Sequence, residues 1–342
     1  MHLFIRADAN EQIGMGHLMR CLSLSQAWKK AGGKVSFITA CSNDRMLQCL
    51  KGEGFAVHPL KDSYPRVQDW KVTKHLLAQT PESWLILDGY SFDSAYQKEV
   101  KRRGHRLMVL DDMARLPYYY ADIILNQNIH ADEMSYFCAS NTKILRGTEY
   151  VLLRQEFLKW KGWKREFPEV ARKILVTLGG GDPDNVTLKV VRALKQIAIP
   201  DMEVSIVLGP ANPHLSRIQE ERSSLPFPIH LLYSRENMAE LMAWADLAVA
   251  AAGTTTWEMA FMGLPGILLV IADNQRGPAE KLQKEGVFPV LGLEPHWAEP
   301  ELVQCVLSLM GGRKIRQEMS QKGRLLVDGL GTNRVLQALA SV

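Results

Sequence analysis

Cysteine is scarce in this chain and never paired. Its 342 residues hold five (Cys21, Cys41, Cys49, Cys138, Cys305), without the short paired spacings of a metal ribbon or a disulfide framework. That pattern excludes a zinc site and a stapled secreted domain, and a reducing, cytoplasmic setting is expected. Long apolar runs are missing too. The longest, Leu264 to Ala272, carries a proline and a glycine and falls well short of the ~20 residues of a membrane span, so no membrane partner is expected. The first residues run straight into a strand-like segment, so no signal peptide is expected. Charge of one sign is also absent: 41 Lys and Arg against 37 Asp and Glu leave a net charge of +4. A nucleic-acid binder would show more numerous and clustered basic residues, and no nucleic-acid partner is expected. The densest basic run, Lys159 to Arg165, interleaves with Trp160 and Trp163. It is read as a solvated linker whose tryptophans pack on a domain rather than as a stacking surface for bases. No histidine pair stands at ligand spacing and no acidic pair clearly suits a divalent ion on a phosphate, so no metal and no other cofactor is expected. Asp111-Asp112 is the one place that keeps the metal question open.

What is present is an alternation of strands and helices. Hydrophobic residues make up 46% of the chain and charged residues 23%, an ordinary globular composition, and the length fits two domains. Continuous apolar segments read as buried strands: His2 to Ile5, Val35 to Thr39, Trp84 to Leu87, Leu107 to Leu110 and Ile123 to Asn126, with amphipathic segments between them. Charged residues and Pro168 interrupt the pattern at 159–172. The alternation then restarts with Lys173 to Leu178, Val204 to Leu208 (followed by Gly209-Pro210), Leu247 to Ala252 and Leu264 to Ile271. Such strands, separated by helices, predict parallel sheets covered on both faces. The expected fold is α/β, two tandem doubly wound parallel-sheet domains facing a cleft, with a N-terminal domain at 1–165 and a C-terminal domain at 166–342. The sequence does not fix the oligomeric state, and a monomer is the working expectation. Ligands of open parallel sheets bind at the carboxyl ends of the strands, which places the chemistry in the loops that follow them.

Four such loops stand out. The first carries Arg6 and Asp8, then Gly14, Gly16 and His17 at the start of a helix read as Leu18 to Lys30. Two glycines let backbone approach a ligand, a helix start offers unpaired N–H groups, and histidine is the side chain of proton transfer near neutral pH. The third glycine of a dinucleotide fingerprint is absent, and no acidic residue ends the second strand, so NAD is not expected. Asp8 fits either of two roles, orienting the imidazole of His17 or capping its loop. The second loop is Gly179-Gly180-Gly181-Asp182, where three glycines permit close approach to a phosphate or a sugar; Asp184 is read as the N-cap of the helix that follows. The third is Gly253-Thr254-Thr255-Thr256-Trp257-Glu258. Its N–H groups and hydroxyls suit a diphosphate, and Glu258, one turn into the helix, suits either the two hydroxyls of a ribose or a capping box with Thr255. The fourth is Asp273-Asn274-Gln275, whose side chains suit the hydroxyls and amides of a sugar or the capping of the next helix.

Together these residues resemble a known family. Arg6-Ala7-Asp8 with Gly14-x-Gly16-His17-x-x-Arg20-Cys21-Leu22, Asp88-Gly89-Tyr90, Asp111-Asp112, Asn126-Gln127-Asn128, Gly147-x-Glu149-Tyr150-x-Leu152-Leu153-Arg154, Gly179-Gly180-Gly181-Asp182-Pro183-x-Asn185, Gly253 to Glu258 and Asn274-Gln275 are similar to the nucleotide-sugar hydrolases of pseudaminic acid biosynthesis. Those enzymes remove UDP from UDP-2,4-diacetamido-2,4,6-trideoxy-altropyranose. The chain also resembles the related spore coat polysaccharide biosynthesis proteins of bacilli. The resemblance implies a fold like that of the two-domain (GT-B) glycosyltransferases and a UDP-sugar substrate; the missing ligand spacings imply a metal-independent reaction. It places His17 on the catalytic base, Glu258 and Asn274 on positions that hold nucleotide and sugar, and Tyr90 near the reacting sugar. The chain departs from the family at Gly89, where a bulkier polar residue is common, and in a longer tail past Gly311.

The expected reaction has a neutral His17 take a proton from a water that attacks the anomeric carbon with inversion. Diphosphate leaves without protonation, so the second carboxylic acid of the glycosidases is dispensable; Gly180, Gly181, Gly253, Thr254, Thr255 and Glu258 hold the nucleotide, and Arg6, Asp8, Gly14, Gly16, Tyr90, Asn274 and Gln275 hold the rest of the substrate. A glycosyltransferase of the same fold and a non-catalytic nucleotide-sugar binding protein are the alternatives.

Overall fold

The computed structural model describes residues 1–10, 14–197, 199–209, 212–222, 226–233, 237–293 and 297–342; Pro210 lies outside them. The chain folds as two compact units, Met1–Gln155 with Gly329–Val342, and Glu156–Asp328.

The first unit is a seven-stranded sheet. Its strands are β1 (His2–Ala7), β2 (Lys34–Thr39), β3 (Ala56–Pro59), β4 (Trp84–Asp88), β5 (Arg106–Leu110), β6 (Ile123–Asn126) and β7 (Lys143–Arg146), in the order β3-β2-β1-β4-β5-β6-β7. All neighbours are parallel. The central strands are buried along nearly their whole length, as a sheet covered on both faces requires. The period of two is explicit in β1. Leu3, Ile5 and Ala7 join one core with Leu18, Leu22, Trp28 and Phe37, while Phe4 joins the opposite core with Leu85, Leu87, Phe92 and Tyr96.

The second unit repeats the plan with β8 (Lys173–Thr177), β9 (Glu203–Leu208), β10 (Ile229–Tyr233), β11 (Leu247–Ala251), β12 (Gly266–Leu269) and β13 (Val290–Leu291), ordered β10-β9-β8-β11-β12-β13 and again parallel. Winding reverses between β1 and β4 in one sheet and between β8 and β11 in the other, so each unit has one crevice-forming point at its strand carboxyl ends.

The units differ from the expected spans 1–165 and 166–342 at two places, each with a packing reason. The last helix, Gly331–Ala340, lays Val335, Ala338 and Leu339 into the same core as Leu18 and Trp28, so the tail completes the first unit. The segment around Arg165 belongs to the second. The Arg165 guanidinium donates to the carbonyls of Met242 (2.5 Å) and Ala245 at the end of the helix Met238–Trp244, where carbonyls lack intrahelical partners and a cation is favoured. Burial and the nearby Arg324 bring its pKa down to about 9. Trp163 sits under the same guanidinium, 5.0 Å from it, and meets Trp160 edge-on.

Candidate active site

The histidine helix spans Gly16–Lys30, two residues earlier than the periodicity implies. It begins nine residues after β1; just before it, Gly14 donates its N–H to Asn10 O (2.9 Å) with φ +74°, a conformation that favours glycine. His17, in the first turn, is 6% exposed. Gly14 and Gly16 are half-buried beside it.

The partner of His17 is Asp88, the last residue of β4. His17 Nδ1 hydrogen-bonds Asp88 Oδ1. Arg20, one turn further along the helix, grips the same carboxylate with both ends of its fork: Nε donates to Oδ2 and Nη2 to Oδ1, each at 2.6 Å. Cys21 Sγ approaches Oδ2 at 3.4 Å. Asp88 is fully buried. Burial alone would raise its carboxyl, but the charges of Arg20 and His17 and their hydrogen bonds outweigh it and hold Asp88 well below the usual carboxylate range. Burial pushes the Cys21 thiol well up, and Asp88 adds to that, so this sulfur is a neutral donor here. Arg20 also donates through Nη1 to Asp112 Oδ2 at 3.2 Å; the other Asp112 oxygen is buried with no partner among the described residues.

Geometry specifies the ring. An ionised carboxylate only accepts, so Nδ1 carries the proton. Arg20 Nη2, 3.3 Å from Nδ1, is then a neighbouring donor rather than a hydrogen-bond partner. In the neutral imidazole this leaves the lone pair on Nε2, which has no hydrogen-bond partner among the described residues. Tyr90, 47% exposed, meets the His17 ring edge-on with centroids 5.0 Å apart.

Asp8 does not orient His17, which corrects one of the two roles expected for it. Its carboxylate pairs with Arg6 and accepts the N–H of Ala40 at 2.7 Å. Arg6 is 0% exposed, on the β1 face opposite Ile5. Its N–H groups go to Asp8, to Asp69 (2.8 Å from Nε) and to Ile38 O, and its guanidinium lies 4.9 Å over Phe92. Burial opposes this charge, and the hydrogen bonds and charges of Asp8 and Asp69 reverse the effect and raise Arg6. Tyr96 OH completes the network on Asp69 (3.0 Å). Arg6 and Asp8 therefore spend their polar groups on each other, on Asp69 and on the backbone of Ile38 and Ala40.

Asp111 closes its own turn. It accepts the N–H groups of Met113 (2.8 Å) and Ala114 (2.7 Å) and the hydroxyl of Tyr119. Among the described residues no group of three His, Cys, Asp or Glu side chains is set to hold a metal ion, and no helix is long and apolar enough to cross a membrane.

In the second unit three of the expected loops lie at the carboxyl ends of neighbouring strands. After β8, Gly179 and Gly180 pack backbone to backbone against Gly209 at the end of β9. A Cβ on Gly209 would stand 2.2 Å from Gly180 O, so part of the glycine content of this loop serves packing. Gly181 is buried. Asp182, not Asp184, caps the helix Val186–Lys195: its two oxygens accept Val186 N (2.7 Å) and Thr187 N (2.9 Å). Asp184 is exposed one residue before the N-cap position, which falls on Asn185 in a left-handed conformation. After β11, the helix Thr255–Met262 starts without a side-chain cap on Thr254. Gly253, Thr254, Thr255 and Glu258 are half-buried, and Thr256 is buried with its hydroxyl unpartnered among the described residues. After β12, Asn274 and Gln275 form a single 3-10 turn with Asp273. Gln275 accepts Ile271 N (3.0 Å), and its amide nitrogen lies against Gly253.

Asp88 and Arg20 are the residues that sequence reasoning left without a role. The signal was there: two apolar strands, β4 and β5, each run into aspartate at the same sheet edge, opposite a helix that carries His and Arg three residues apart.

The fold, two parallel-sheet α/β units each wound about one reversal point, is that of the GT-B-like glycosyltransferases. Acinetobacter baumannii MurG superposes with a TM-score of 0.68 at 17% identity, over 100% of this chain and 99% of that one. Residues 174–325 match the glycosyltransferase family 28 C-terminal domain. At the level of sequence, the spore coat polysaccharide biosynthesis protein SpsG of Bacillus subtilis is 27% identical over 99% of this chain and 98% of its own length. The UDP-2,4-diacetamido-2,4,6-trideoxy-beta-L-altropyranose hydrolase of Campylobacter jejuni is 24% identical over 84% of this chain and 97% of its own. The chain is thus similar along most of its length to these two proteins.

Proposed function

We propose that this chain is a nucleotide-sugar hydrolase that releases UDP from a UDP-2,4-diacetamido-2,4,6-trideoxyhexose, in the supply of nonulosonic acid or surface polysaccharide. The observation that carries the reading is the His17 ring: its Nδ1 is engaged by Asp88, which leaves Nε2 as the basic atom at the reversal point of the first sheet. The activity for which the Campylobacter relative is named supplies the substrate class.

In this reading Nε2 takes a proton from water as the water oxygen bonds to the anomeric carbon. The carbon–oxygen bond to the diphosphate breaks, its electron pair leaves with UDP, and the sugar is released with inverted configuration. The proton passes from His17 to solvent afterwards. The second unit holds the nucleotide: the N–H groups and hydroxyls from Gly253 to Thr255 meet the diphosphate at a helix start, Glu258 takes the ribose hydroxyls, and Gly180 and Gly181 approach the phosphate. Tyr90, Asn274 and Gln275 contact the sugar. Gly14 and Gly16 clear space beside the base.

The test is UDP release from the UDP-sugar by the purified chain with no acceptor present. Turnover is expected, with inverted product by NMR. His17→Asn should lose roughly 10²–10⁴ in rate while UDP still binds; near-normal turnover of that variant sinks the assignment. The match of residues 174–325 to a glycosyltransferase domain favours transfer to an acceptor hydroxyl as the second reading. Release that occurs only with an added acceptor selects it, and binding without either reaction selects a non-catalytic nucleotide-sugar binding protein.

A further inference from the structure

We infer that Asp88 and Arg20 are positioning residues for His17: Asp88 accepts the Nδ1 proton, Arg20 clamps Asp88, and Nε2 is thereby the one ring atom able to take a proton from the nucleophile. The inference rests on His17 as the base, and it holds whether that nucleophile is water or an acceptor hydroxyl.

The geometry carries it. Four contacts converge on the two oxygens of Asp88. Oδ1 receives His17 Nδ1 and Arg20 Nη2, and Oδ2 receives Arg20 Nε and Cys21 Sγ. A carboxylate has about four lone-pair sites, so this one is filled by donors and keeps no freedom to rotate. His17, Arg20 and Cys21 all stand in the first turns of one helix, whereas Asp88 ends a strand 71 residues away from His17. The four contacts thus tie the histidine helix to β4 at the point where the sheet reverses. Arg20 serves the carboxylate twice. Its planar fork fits both oxygens side by side, and its remaining arm on Asp112 prevents it from swinging away with the flexible end of its own side chain. After proton transfer the imidazolium at His17 faces an anion already in place, so no reorganisation accompanies the charge.

Asparagine at position 88 breaks this logic at a single atom. One oxygen becomes an NH₂ donor and must face either His17 or Arg20, both donors. Facing the ring, it reverses the tautomer and puts the hydrogen on Nε2; facing Arg20, it breaks the fork.

The experiment has three arms on the full chain. First, ¹⁵N-histidine NMR of the wild-type protein, with the His17 signals assigned by their loss in His17→Asn, should show the Nδ1–H tautomer; an Nε2–H tautomer overturns the inference, and this arm needs no substitution at Asp88. Second, Asp88→Asn and Arg20→Gln should lower kcat, the first by roughly 10²–10⁴, while KM and UDP affinity stay near wild type; unchanged kcat in Asp88→Asn overturns it. Third, in the His17→Asn background Asp88→Asn should cost less than about twofold more, since a residue acting through His17 has nothing left to act on; full additivity overturns it. If His17→Asn itself keeps its rate, the failure lies in the assigned base and not in the positioning of the ring.

Discussion

His17 and Asp88 stand 71 residues apart in the chain and meet through Nδ1 and Oδ1 at one sheet edge. The contact ties the start of a helix to the end of a strand, and Arg20 locks it from the side. A buried ionic cluster of this kind contributes to folding as well as to chemistry, and the two effects separate by pH.

Asp88 has a depressed carboxyl in the folded protein. A group whose folded pKa lies below its unfolded one adds stability that is complete above the unfolded value, about 3.9 for aspartate, and is lost as pH falls through the folded value. Wild type should therefore hold a stability advantage over Asp88→Asn at and above about pH 5, and the gap should narrow as pH falls below about pH 4. Urea midpoints of both proteins between pH 7 and pH 3 measure it. A gap that stays constant to pH 3 would contradict a paired carboxylate at this position.

The strands of both sheets show what the sequence could and could not reveal. Every interior strand, from β1 to β12, stands out as a largely apolar run. The four that do not, β3, β7, β10 and β13, are the outer strands of the two sheets. An outer strand has one neighbour and a solvated side, so its apolar run is broken: β3 reads Ala-Val-His-Pro, with both end residues exposed. The site divides in the same way. Glycines, His17 and the helix starts are local and legible. The partner of His17 is not, because Asp8 is near in sequence and Asp88 is near only after β4 has paired with β1. Register then puts Asp88 beside Ala7, one residue short of Asp8, whose carboxylate turns instead to Arg6.

Gly209 offers a way to ask whether the loop after β8 touches nucleotide. Its added Cβ would overlap Gly180 O at 2.2 Å and Gly179 O at 2.5 Å, so Gly209→Ala must displace the glycine loop without adding charge or polarity. Overpacking of this kind costs about 1–3 kcal/mol of stability. If Gly180 and Gly181 approach the phosphates, UDP affinity by calorimetry should fall by about tenfold or more, ~1.4 kcal/mol, at a temperature where the variant remains folded. Unchanged affinity would assign the three glycines to backbone packing alone.

Metal independence is open to a direct test. Asp111 is occupied by its own turn, and Arg20 takes one oxygen of Asp112 while the other is buried without a partner among the described residues, so Asp112 Oδ1 is the one atom of the pair open to a divalent ion. UDP release should survive dialysis against a chelator and should not rise on adding magnesium or manganese. Loss of activity with the chelator, restored by one of these ions, would overturn metal independence and assign the free oxygen of Asp112 to the metal.

The tail poses the last question, because it returns across the chain to finish the first unit. Leu339 is 0% exposed in the core that also contains Leu18, Leu22 and Trp28 of the histidine helix. Truncating a buried leucine to alanine removes transfer energy and leaves a cavity, for about 2–5 kcal/mol. Leu339→Ala should therefore destabilise the first unit selectively. In a denaturant titration, hydrogen exchange of amides in β1 and the histidine helix should accelerate strongly while that of β8 and β11 stays near wild type. The same variant should lose turnover at a lower temperature than it loses UDP binding, since the base rides on the helix that Leu339 supports, whereas the proposed nucleotide loops belong to the other unit. Equal acceleration in both units would show that the tail stabilises the molecule as a whole and not the histidine helix in particular.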